Sequence, residues 1–588
     1  MTFTAKSSKE ADVTGEIAVD TGAEGFIELL NINKVDHIFM NPGTDTTPIQ
    51  EAIAKMKATG RRTPKVILCT YETVAMAAAH GYFAVTGRPQ VVLVHVDVGT
   101  QNIGGALHNA QRSRIGVVVC AGRSPSIFEA EREGGRLMGI MWWQEQRDQA
   151  GIVRNFTKWD YELRFNENAH HVVQRAFQMA ATQPAGPVYL TLPREVLVEK
   201  IRSVRVLDTD RFSAPLTPAA DPVALDRAAE ILAAAKDPLI LVSYSGRNPA
   251  AVAPLVELAE TIGARVSASN ARVNFPSNHP LSISGFGVGD HLKNADALLV
   301  IDHDIPYIPA MVKPGTDTKI IHIDIDPIKK DMVMWGFPAD ISMEADSAKA
   351  IPALTDLVKQ KITGERKSRV HARYLELEKQ RLQNEAEARD FALSRANQTP
   401  ISPEWFCHCL SEFVDDDTII VDESLSSGGA VSRYIPRTKP GTIYGSGGSS
   451  LGFGLGASLG VKLAAPDKTV VCLVGDGSFL FGCPTPTFWA SSVYHIPFLC
   501  VVFNNQGYFA VRGNLRSTFG KDNYGEKDPF FAGLDIEPSP NYAMLAQASN
   551  CYGEMVTDPT EVKAALKRAM AQVKSGKSAL LDVRIARR

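Results

Sequence analysis

The 588-residue sequence has few of the features that mark several large protein classes. No apolar run reaches the ~18 residues of a membrane-spanning helix, and the polar start MTFTAKSSKEADVTGE lacks the apolar stretch of a signal peptide. With 62 basic and 65 acidic residues the formal net charge is only −3, so no charge excess marks a nucleic-acid-binding or membrane-binding surface. The eight cysteines lack paired spacing, which favours core positions in a reducing compartment. We therefore expect a cytoplasmic protein with neither nucleic acid nor membrane as a partner.

Short β-branched apolar runs alternate with helix-length segments along most of the chain, which is typical of the α/β class. Continuous apolar runs of this kind indicate strands that are buried on both faces, as in parallel sheets. The predicted strands are HIFM, KVILCT, QVVLVHV, IGVVVCAG and GPVYLTLP in the first part, PLILVSY, RVSAS, ALLVID and KIIHIDID in the second, and TIIVD, KTVVCLV and IPFLCVVF in the third. The sequence therefore predicts three α/β domains.

Changes in composition indicate where these domains begin and end. The first is predicted over residues 14–200 and the second over 223–360, with the Pro-containing stretch RFSAPLTPAADP between them as a linker. Residues 361–400 are strongly charged and are predicted to form a helical linker on the surface. The third domain is predicted over residues 401–588. At ~150 residues per domain, the chain length allows three or four domains.

The most informative motif is GDGS at residues 475–478, which follows the predicted strand KTVVCLV. A lone GDG turn usually contains an aspartate that caps a helix, but the next predicted strand here ends in two asparagines at 504–505. In open α/β sheets, ligands bind at the carboxyl ends of the strands. The Asp476 carboxylate and the Asn505 amide oxygen are ligands of the kind that Mg²⁺ takes beside phosphates. The two motifs together predict a metal–diphosphate site.

This segment resembles the signature of thiamine-diphosphate (ThDP) enzymes, and the resemblance to that family extends over nearly the whole chain. It implies three doubly wound parallel-sheet domains: a pyrimidine-binding domain, a central domain and a diphosphate-binding domain. It also implies that Asp476, Asn505 and the main-chain carbonyl of Gly507 hold Mg²⁺. The further cofactor contacts that it implies come from Ser424, Ser426, Gly477, Ser478 and Tyr508.

Glu72 follows the predicted strand KVILCT and opens an Ala-rich helix. On the residues alone, a glutamate in the first turn of a helix is most often favoured there by the helix dipole. The context YETVAMAAAHGYFAVTGRP, however, resembles the segment whose glutamate hydrogen-bonds the aminopyrimidine ring of ThDP. The resemblance therefore implies that Glu72 binds the cofactor and shares in the proton transfer that activates it.

The segment GSGGSSLGFGLGASLG resembles the part of the family's third domain that underlies the bent cofactor. It implies that the carbonyl of Ser449 accepts a hydrogen bond from the amino group of ThDP, and that Leu451 is wedged beneath the two rings. The family binds ThDP between the first domain of one subunit and the third domain of another. A homo-oligomer with its active site at the subunit interface is therefore implied, with a homodimer as the minimum and a homotetramer as a common form.

The features around the expected substrate resemble two groups within the family, the benzoylformate decarboxylases and the acetohydroxyacid synthases. NPGTDTTP resembles a loop that contacts the substrate carboxylate, which implies a contact from Thr44, and His95 takes the place of an active-site histidine of the decarboxylases. MWWQEQRDQAGIV instead resembles a synthase segment, in which Gln144 would contact the cofactor or the acyl group. The second histidine of the decarboxylases has no clear counterpart; His303 is the nearest candidate, although a loop residue of the central domain is the simpler interpretation.

The resemblance to acetohydroxyacid synthases does not extend to their flavin. Those enzymes carry a glycine-x-arginine pattern after the strand that corresponds to ALLVID, where this chain reads DHD at 302–304. Two acidic residues at that position would repel a diphosphate. We therefore expect no FAD.

The sequence and the resemblance together predict a ThDP- and Mg²⁺-dependent lyase or carboligase that acts on a 2-oxo acid or an aldehyde. Its reaction would be non-oxidative decarboxylation, acyloin formation or both. Three alternatives stay open: an acetolactate-synthase-type transferase, a lyase of 2-hydroxyacyl thioesters, and a catalytically silent homologue that serves as a binding or regulatory subunit. The presence of Glu72, Asp476 and Asn505 together argues against the silent homologue, since such a copy has no chemical need of all three.

Overall fold

The structure of the chain is a computed structural model that describes residues 13–129, 131–269, 271–283, 288–528 and 533–587. These residues form two units. The first contains the described parts of Met1–Pro215 and Gly447–Ala464, and the second contains those of Leu216–Ser446 and Ala465–Arg588. In the described part of the chain, no helix combines the length and the apolar character needed to cross a membrane.

The first unit is built on a six-stranded sheet in which all neighbouring strands are parallel. The strands of this unit, including two outside the sheet, are β1 Val13–Ala18, β2 His37–Met40, β3 Lys65–Leu68, β4 Gln90–Val94, β5 Val117–Arg123, β6 Asp160–Glu162, β7 Val188–Pro193 and β8 Ser203–Leu207. Its helices before residue 200 are α1 Gly22–Ile32, α2 Thr47–Ala58, α3 Glu72–Thr86, α4 Val96–Asn102, α5 Gly104–Arg112, α6 Ile140–Trp143, α7 Ala169–Ala181 and α8 Arg194–Val198. The strand order is β3-β2-β4-β5-β7-β6, and β1 pairs with β8 in a separate antiparallel ribbon.

The second unit begins with a central parallel sheet. Its strands are β9 Pro238–Val242, β10 Arg265–Ala268, β11 Ser282–Ile283, β12 Ala297–Ile301, β13 Lys319–Asp324 and β14 Ile341–Glu344, in the order β11-β10-β9-β12-β13-β14. The helices of this part are α9 Pro222–Ala234, α10 Val252–Ile262, α11 Val288–Asn294, α12 Ser347–Lys361 and α13 Gly364–Ser394. The long helix α13 contains the charged segment, and its polar surface carries ion pairs between successive turns, such as Arg369 with Glu365 at 2.6 Å.

The third sheet is also parallel, with the order β16-β15-β17-β18-β20-β19. Its strands are β15 Ile419–Glu423, β16 Ile443–Gly445, β17 Val470–Gly475, β18 Leu499–Asn504, β19 Tyr552–Val556 and β20 Ala579–Arg584. The helices of this part of the chain are α14 Pro403–Ser411, α15 Gly428–Tyr434, α16 Phe453–Ala464, α17 Asp476–Phe481, α18 Pro484–Tyr494, α19 Phe509–Phe519, α20 Tyr524–Lys527, α21 Tyr542–Gln547 and α22 Val562–Lys574.

All the strands predicted from the sequence are confirmed, and they are chiefly the interior strands of the three sheets. Most of those that the sequence did not predict, namely β6, β11, β14, β16 and β19, lie at sheet edges. An edge strand is only partly covered, so its sequence needs no continuous apolar run. In β14, for example, buried and exposed residues alternate.

The first and third sheets have the same strand order when their strands are counted within each sheet, namely 2-1-3-4-6-5. The central sheet has the order 3-2-1-4-5-6. In each sheet the direction of winding reverses beside the first strand: between β2 and β4, between β9 and β12, and between β15 and β17. Ligands of open α/β sheets bind at the carboxyl ends of the strands at such a reversal, which we call the switch point of the sheet.

Helix α16 packs against helix α3 in the first unit, although the neighbours of α16 in the chain belong to the second. Both helices present small residues, and their backbones come close together. A Cβ on Gly81 would strike the carbonyl oxygen of Ala457, and a Cβ on Gly460 would strike the carbonyl oxygen of Ala78. Any side chain at either glycine would therefore force the two helices apart.

We expect the substitution Gly460→Ala to destabilise the protein by about 1–3 kcal/mol, because the added methyl group overlaps main-chain atoms of α3. The midpoint of urea-induced unfolding measures the effect. Gly104→Ala is the matched control, since a Cβ on Gly104 meets no atom within 4 Å. Equal midpoints for the two variants would contradict the close packing of α3 on α16.

Candidate active site

In the second unit, three polar residues follow neighbouring strands of the third sheet. Ser424, Asp476 and Asn505 come directly after β15, β17 and β18. These strands are parallel, so their carboxyl ends lie at one edge of the sheet. The fold therefore brings the residues that the resemblance assigns to the metal and the diphosphate to the switch point of this sheet.

The Asp476 carboxylate is buried and held by main-chain amides. Its Oδ1 accepts a hydrogen bond from the N–H of Gly477 at 2.8 Å, and its Oδ2 accepts one from the N–H of Gly507 at 3.1 Å. Burial raises the pKa of Asp476 to about 6, and the amide hydrogen bonds oppose that rise. A divalent cation would favour the ionised form further, so this position suits a metal ligand.

The two asparagines at the end of β18 differ in their contacts. Asn504 serves the fold, because its Nδ2 donates to Asp582 Oδ1 at 2.8 Å and to Ser539 Oγ at 3.1 Å. Asn505 donates a long hydrogen bond of 3.4 Å to Ser426 Oγ, and its own buried Oδ1 has no hydrogen-bond partner among the described residues. A buried amide oxygen left without a donor is the kind of group that a bound cation would satisfy.

The turn after β17 also offers groups that fit a diphosphate. The buried Ser478 Oγ has no hydrogen-bond partner within the described part of the chain. Gly477 lies against the ring of Tyr508, since a Cβ on Gly477 would come within 2.6 Å of that ring. The residues around this turn therefore fit both parts of a metal–diphosphate group: oxygen ligands for the metal and an unused hydroxyl for the phosphate.

In the first unit, Glu72 is the first residue of α3 and is only 5% exposed. Its Oε2 accepts a hydrogen bond from Nδ2 of Asn102, the last residue of α4, at 3.1 Å. A Cβ on Gly99 would come within 3.2 Å of the other oxygen, Oε1, so the glycine keeps side-chain atoms away from it. The sequence did not identify Asn102 as a partner of Glu72. Asn102 is a polar residue in the segment that follows His95, and that position made it a candidate.

His95 directly follows β4, and its Nδ1 pairs with Oδ1 of Asp45 in the loop after β2. The hydrogen bond that His95 donates to Asp45 is the largest effect on the pKa of His95 and raises it, whereas burial of the ring opposes the rise. The pairing therefore favours the protonated imidazole. The sequence missed Asp45, which stands next to Thr44. Thr44 itself is exposed, and its carbonyl accepts a hydrogen bond from Thr47 Oγ1 at 3.1 Å.

The segment around α6 reaches the same part of the first unit through Gln146, whose Nε2 donates to Asp97 Oδ2 at 2.8 Å. Gln144 is 6% exposed, and its Oε1 lacks a hydrogen-bond partner among the described residues. The Oδ1 of Asp97 and the Oδ2 of Asp45 lack one in the same set. These buried oxygens can accept hydrogen bonds from a ligand.

The segment before α16 is tied to α5. Asn109 Nδ2 donates to the carbonyl of Ser450 at 2.8 Å, and the N–H of Ser450 donates to Asn109 Oδ1 at 3.0 Å. On either side of Ser450, the exposed Ser449 contacts Nε2 of His108 at 3.2 Å, and Leu451 is half-buried. The structure thus places Ser449 and Leu451 in the same unit as Glu72.

The switch point of the central sheet is occupied by the chain's own charged groups. Arg247 Nη1 lies 2.6 Å from Asp302 Oδ2, and the hydroxyl of Ser347 donates to the same oxygen at 2.6 Å. This corrects one step of the sequence argument, because Asp302 is paired with a cation and is not a free negative charge. The ion pair and the hydrogen bond from Ser347 lie at the end of β12.

His303 is held within the central part of the second unit. Its main-chain N–H donates to Asp324 Oδ2 at 3.1 Å, and burial lowers its pKa to about 4. Asp324 is also paired with the buried Lys329, whose Nζ lies 2.5 Å from Oδ2. These contacts give His303 a place in the charge network of the central sheet.

Three family models match the chain. They are described as the N-terminal TPP binding domain, the central domain and the C-terminal TPP binding domain of thiamine pyrophosphate enzymes, and they match residues 20–152, 225–354 and 426–583. The matched ranges contain the whole central sheet and most strands of the other two sheets, leaving out β6, β7 and β15, and they include Glu72, Asp476 and Asn505.

Two curated relatives are similar over nearly their full length. The acetolactate synthase isozyme 3 large subunit of Escherichia coli (strain K12) is 25% identical over 577 residues, which cover 96% of this chain and 95% of the relative. The benzoylformate decarboxylase of Pseudomonas aeruginosa is 25% identical over 563 residues, which cover 92% of this chain and 95% of the relative.

Solved structures share the fold. A thiamine diphosphate-dependent 4-hydroxybenzoylformate decarboxylase from Rhodococcus jostii RHA1 has a TM-score of 0.75 at 22% identity, with coverage of 96% of this chain and 99% of that one. A benzoylformate decarboxylase from Polynucleobacter necessarius has a TM-score of 0.78 at 21% identity, with coverage of 97% and 99%. Because the three family models together span most of the sequence, this chain belongs to the thiamine pyrophosphate enzyme family.

Proposed function

We propose that this enzyme uses ThDP and Mg²⁺ to decarboxylate a 2-oxo acid without oxidation, and that it can join the remaining acyl group to a second carbonyl compound. The observation that carries the proposal is the unpartnered Oδ1 of Asn505 at the same sheet edge as the buried carboxylate of Asp476. Hard oxygen ligands of this kind suit Mg²⁺ beside a diphosphate. The similarity to a benzoylformate decarboxylase supports the substrate class, since benzoylformate is a 2-oxo acid.

The residues of the third sheet would hold the metal and the diphosphate. Asp476, the amide oxygen of Asn505 and the main-chain carbonyl of Gly507 would bind Mg²⁺. When bound, ThDP would supply a nucleophilic carbon for the keto group of the substrate and a positively charged ring that can accept electrons. The diphosphate would be bound by Ser424, Ser426, Gly477, Ser478 and Tyr508.

The residues of the first unit would supply orientation and proton transfer. Glu72 would hydrogen-bond the pyrimidine ring and exchange a proton with it, because its carboxylate is buried and has one oxygen away from side-chain atoms. The carbonyl of Ser449 and the side chain of Leu451 would hold the cofactor in its bent form. Two further residues would act at the substrate, Thr44 on its carboxylate and His95 as a proton donor.

The enzyme would work without a flavin. The position at which a flavin diphosphate would lie in the central sheet holds the ion pair of Arg247 and Asp302. Opening that pair would leave the buried Asp302 carboxylate without its cation, which is costly in a protein interior. A redox cofactor is also not required for decarboxylation followed by protonation or by attack on a second carbonyl group.

A transferase of the acetolactate-synthase type is the second candidate. It is favoured by Gln144, whose buried Oε1 is available to a ligand, and by the similarity to an acetolactate synthase large subunit along 96% of the chain. In that reaction the acyl group would pass to a second 2-oxo acid. The two candidates share the first steps and differ in what accepts the acyl group.

We also propose that the enzyme is a homo-oligomer, a homodimer at the least, with its active sites at subunit interfaces. The support is the resemblance to the family, in which ThDP is bound by the first domain of one subunit and the third domain of another.

We expect release of carbon dioxide from at least one member of a panel of 2-oxo acids when ThDP and Mg²⁺ are present. The panel contains pyruvate, 2-oxobutyrate, phenylpyruvate and benzoylformate, and mass spectrometry identifies the products. A free aldehyde would establish a decarboxylase, whereas a condensed hydroxyketone or hydroxy-oxo acid would establish a carboligase or synthase. No release from any member, with ThDP bound, would reject the proposed substrate class and direct the search to 2-hydroxyacyl thioesters.

Replacement of Glu72 by Gln should leave ThDP binding within a few-fold of wild type and lower turnover by roughly 10²–10⁴-fold, the range of general acid–base contributions. The amide retains the shape and much of the hydrogen bonding but cannot take up the proton. Calorimetry measures the first quantity and carbon dioxide release the second. Turnover equal to that of wild type would remove Glu72 from the proton chemistry.

Asn505→Ala should weaken Mg²⁺-dependent ThDP binding by roughly 10- to 100-fold, as the loss of a group that supports a metal site commonly does. The dissociation constant of ThDP is measured by calorimetry with Mg²⁺ and with EDTA. Asn514→Ala, which changes an exposed asparagine of α19, is the matched control and should bind as wild type does. The metal assignment fails if Mg²⁺ has the same effect on ThDP binding in both variants.

A further inference from the structure

The strand order of the first sheet brings His95 and Asp45 together. Strands β2 and β4 are neighbours, Asp45 lies in the loop after β2, and His95 directly follows β4. Nδ1 of His95 contacts Oδ1 of Asp45, whose side chain is 3% exposed, whereas the imidazole side chain keeps 20% exposure. The ring is thus anchored from its buried side through Nδ1, and Nε2 is the nitrogen that the pairing leaves for another contact.

Two glycines make room for this pair. A Cβ on Gly43 would overlap the imidazole of His95, and a Cβ on Gly122 in β5 would overlap the carboxylate of Asp45. Neither glycine has a positive φ, so the backbone conformation does not call for glycine at these positions. No other residue fits at these two positions because the side chains of His95 and Asp45 fill the space that its Cβ would take.

The loop that carries Asp45 is fixed by Thr46, which is 1% exposed. The Oγ1 of Thr46 donates to the carbonyl of Gly43 at 2.9 Å, and the N–H of Gly43 donates to the Oγ1 of Thr46 at 3.2 Å. The N–H of Thr46 also donates to the carbonyl of Gly43 at 3.2 Å. The carboxylate of Asp45 is therefore held in one orientation by its own loop, as a group that orients a reacting side chain must be.

Three carboxylates face His95: Asp45 from the loop after β2, Glu72 from α3 and Asp97 from α4. Glu72 and Asp97 each accept a hydrogen bond from a side-chain amide, at 3.1 and 2.8 Å. Asp45 bonds the imidazole directly, and its second oxygen has no hydrogen-bond partner among the described residues. Asp45 is therefore the carboxylate that determines where the ring carries its buried proton, and it contributes most to the raised pKa of His95.

We propose that Asp45 is a positioning residue for catalysis, which fixes the imidazole of His95 with the Nδ1 proton toward Asp45 and Nε2 toward the substrate. The inference rests on the proposed function, because the reaction gives a use to the Nε2 proton. The imidazolium donates that proton to the substrate carbon that has lost carbon dioxide, becomes neutral imidazole, and regains a proton from water. Asp45 holds the ring through Nδ1 during this step, as the carboxylate partner of a catalytic histidine does.

The test is Asp45→Asn, which keeps the size of the side chain and removes its charge. The pKa of His95 should fall, because the hydrogen bond to a carboxylate and the favourable charge are both lost. Turnover depends on the protonated ring, so its loss on the alkaline side should move to lower pH by the same amount. At neutral pH we expect turnover to fall roughly 10- to 100-fold, a part of the usual general-acid contribution, with the dissociation constant of ThDP unchanged.

The pKa of His95 is measured by NMR titration of its imidazole Cε1–H signal in histidine-labelled protein, assigned by the loss of that signal in His95→Gln. Glu51→Gln removes an exposed carboxylate from α2 and serves as the matched control. It should leave both the titration and the pH dependence of turnover as in wild type. A structural ion pair with no part in turnover would give a different pattern: the titration would shift and the pH profile would not.

An unchanged titration of His95 in Asp45→Asn overturns the pairing, and a shifted titration with an unmoved pH profile overturns the positioning role. If the variant does not fold, the wild-type protein decides, because the proposal requires His95 to titrate above the ~6.5 of an unperturbed histidine. The titration needs no substrate. A wild-type protein that is inactive toward every 2-oxo acid would therefore reject the proposed function, and the titration would separately decide whether the pair exists.

Discussion

The close contact between α3 and α16 is the constraint on which the first unit depends. Because Gly81 and Gly460 have no side chains, the two helix backbones meet directly, and the contact tolerates little displacement. Glu72 is the first residue of α3, and the segment with Ser449 and Leu451 leads into α16. One helix pair therefore fixes Glu72 and the segment that contains Ser449 and Leu451 relative to each other, although they are far apart in the sequence.

The switch points of the third and central sheets lie at corresponding strand ends but carry different groups. At the switch point of the third sheet, buried oxygens of Ser478 and Asn505 are left without partners among the described residues, and such oxygens can bind a ligand. At the corresponding point of the central sheet, Arg247 is paired with Oδ2 of Asp302, and Oδ1 of Asp302 has no hydrogen-bond partner among the described residues. Removal of either member of a buried ion pair leaves the other charge uncompensated, so Arg247 and Asp302 depend on each other at this strand end.

The charge state that each buried ionisable group favours depends on the partner that lies nearest to it. Asp476 is held by main-chain amides, which stabilise an anion without cancelling its charge, so it can still bind a cation. His95 is held by the carboxylate of Asp45, which stabilises the protonated ring and so keeps a proton on it. His303 is buried, no carboxylate among the described residues hydrogen-bonds its ring, and its pKa is lowered to about 4. The pKa of His95 is therefore raised and that of His303 is lowered, because their environments differ.

The sequence by itself determined most of the interior strands, since a strand that is buried on both faces usually is a continuous apolar run, and it determined the GDGS and NN motifs that end two of them. It did not determine β20, an interior strand that contains Asp582. Only the tertiary structure decided which strand ends became neighbours. The pairing of Asp45 with His95 spans 50 residues, and the attachment of Ser450 to Asn109 spans 341. Neither leaves a local pattern, because strand order and helix packing are set by contacts across the whole sheet. For the same reason the charge on Asp302 could be read from the sequence, whereas its neutralisation by Arg247 could not.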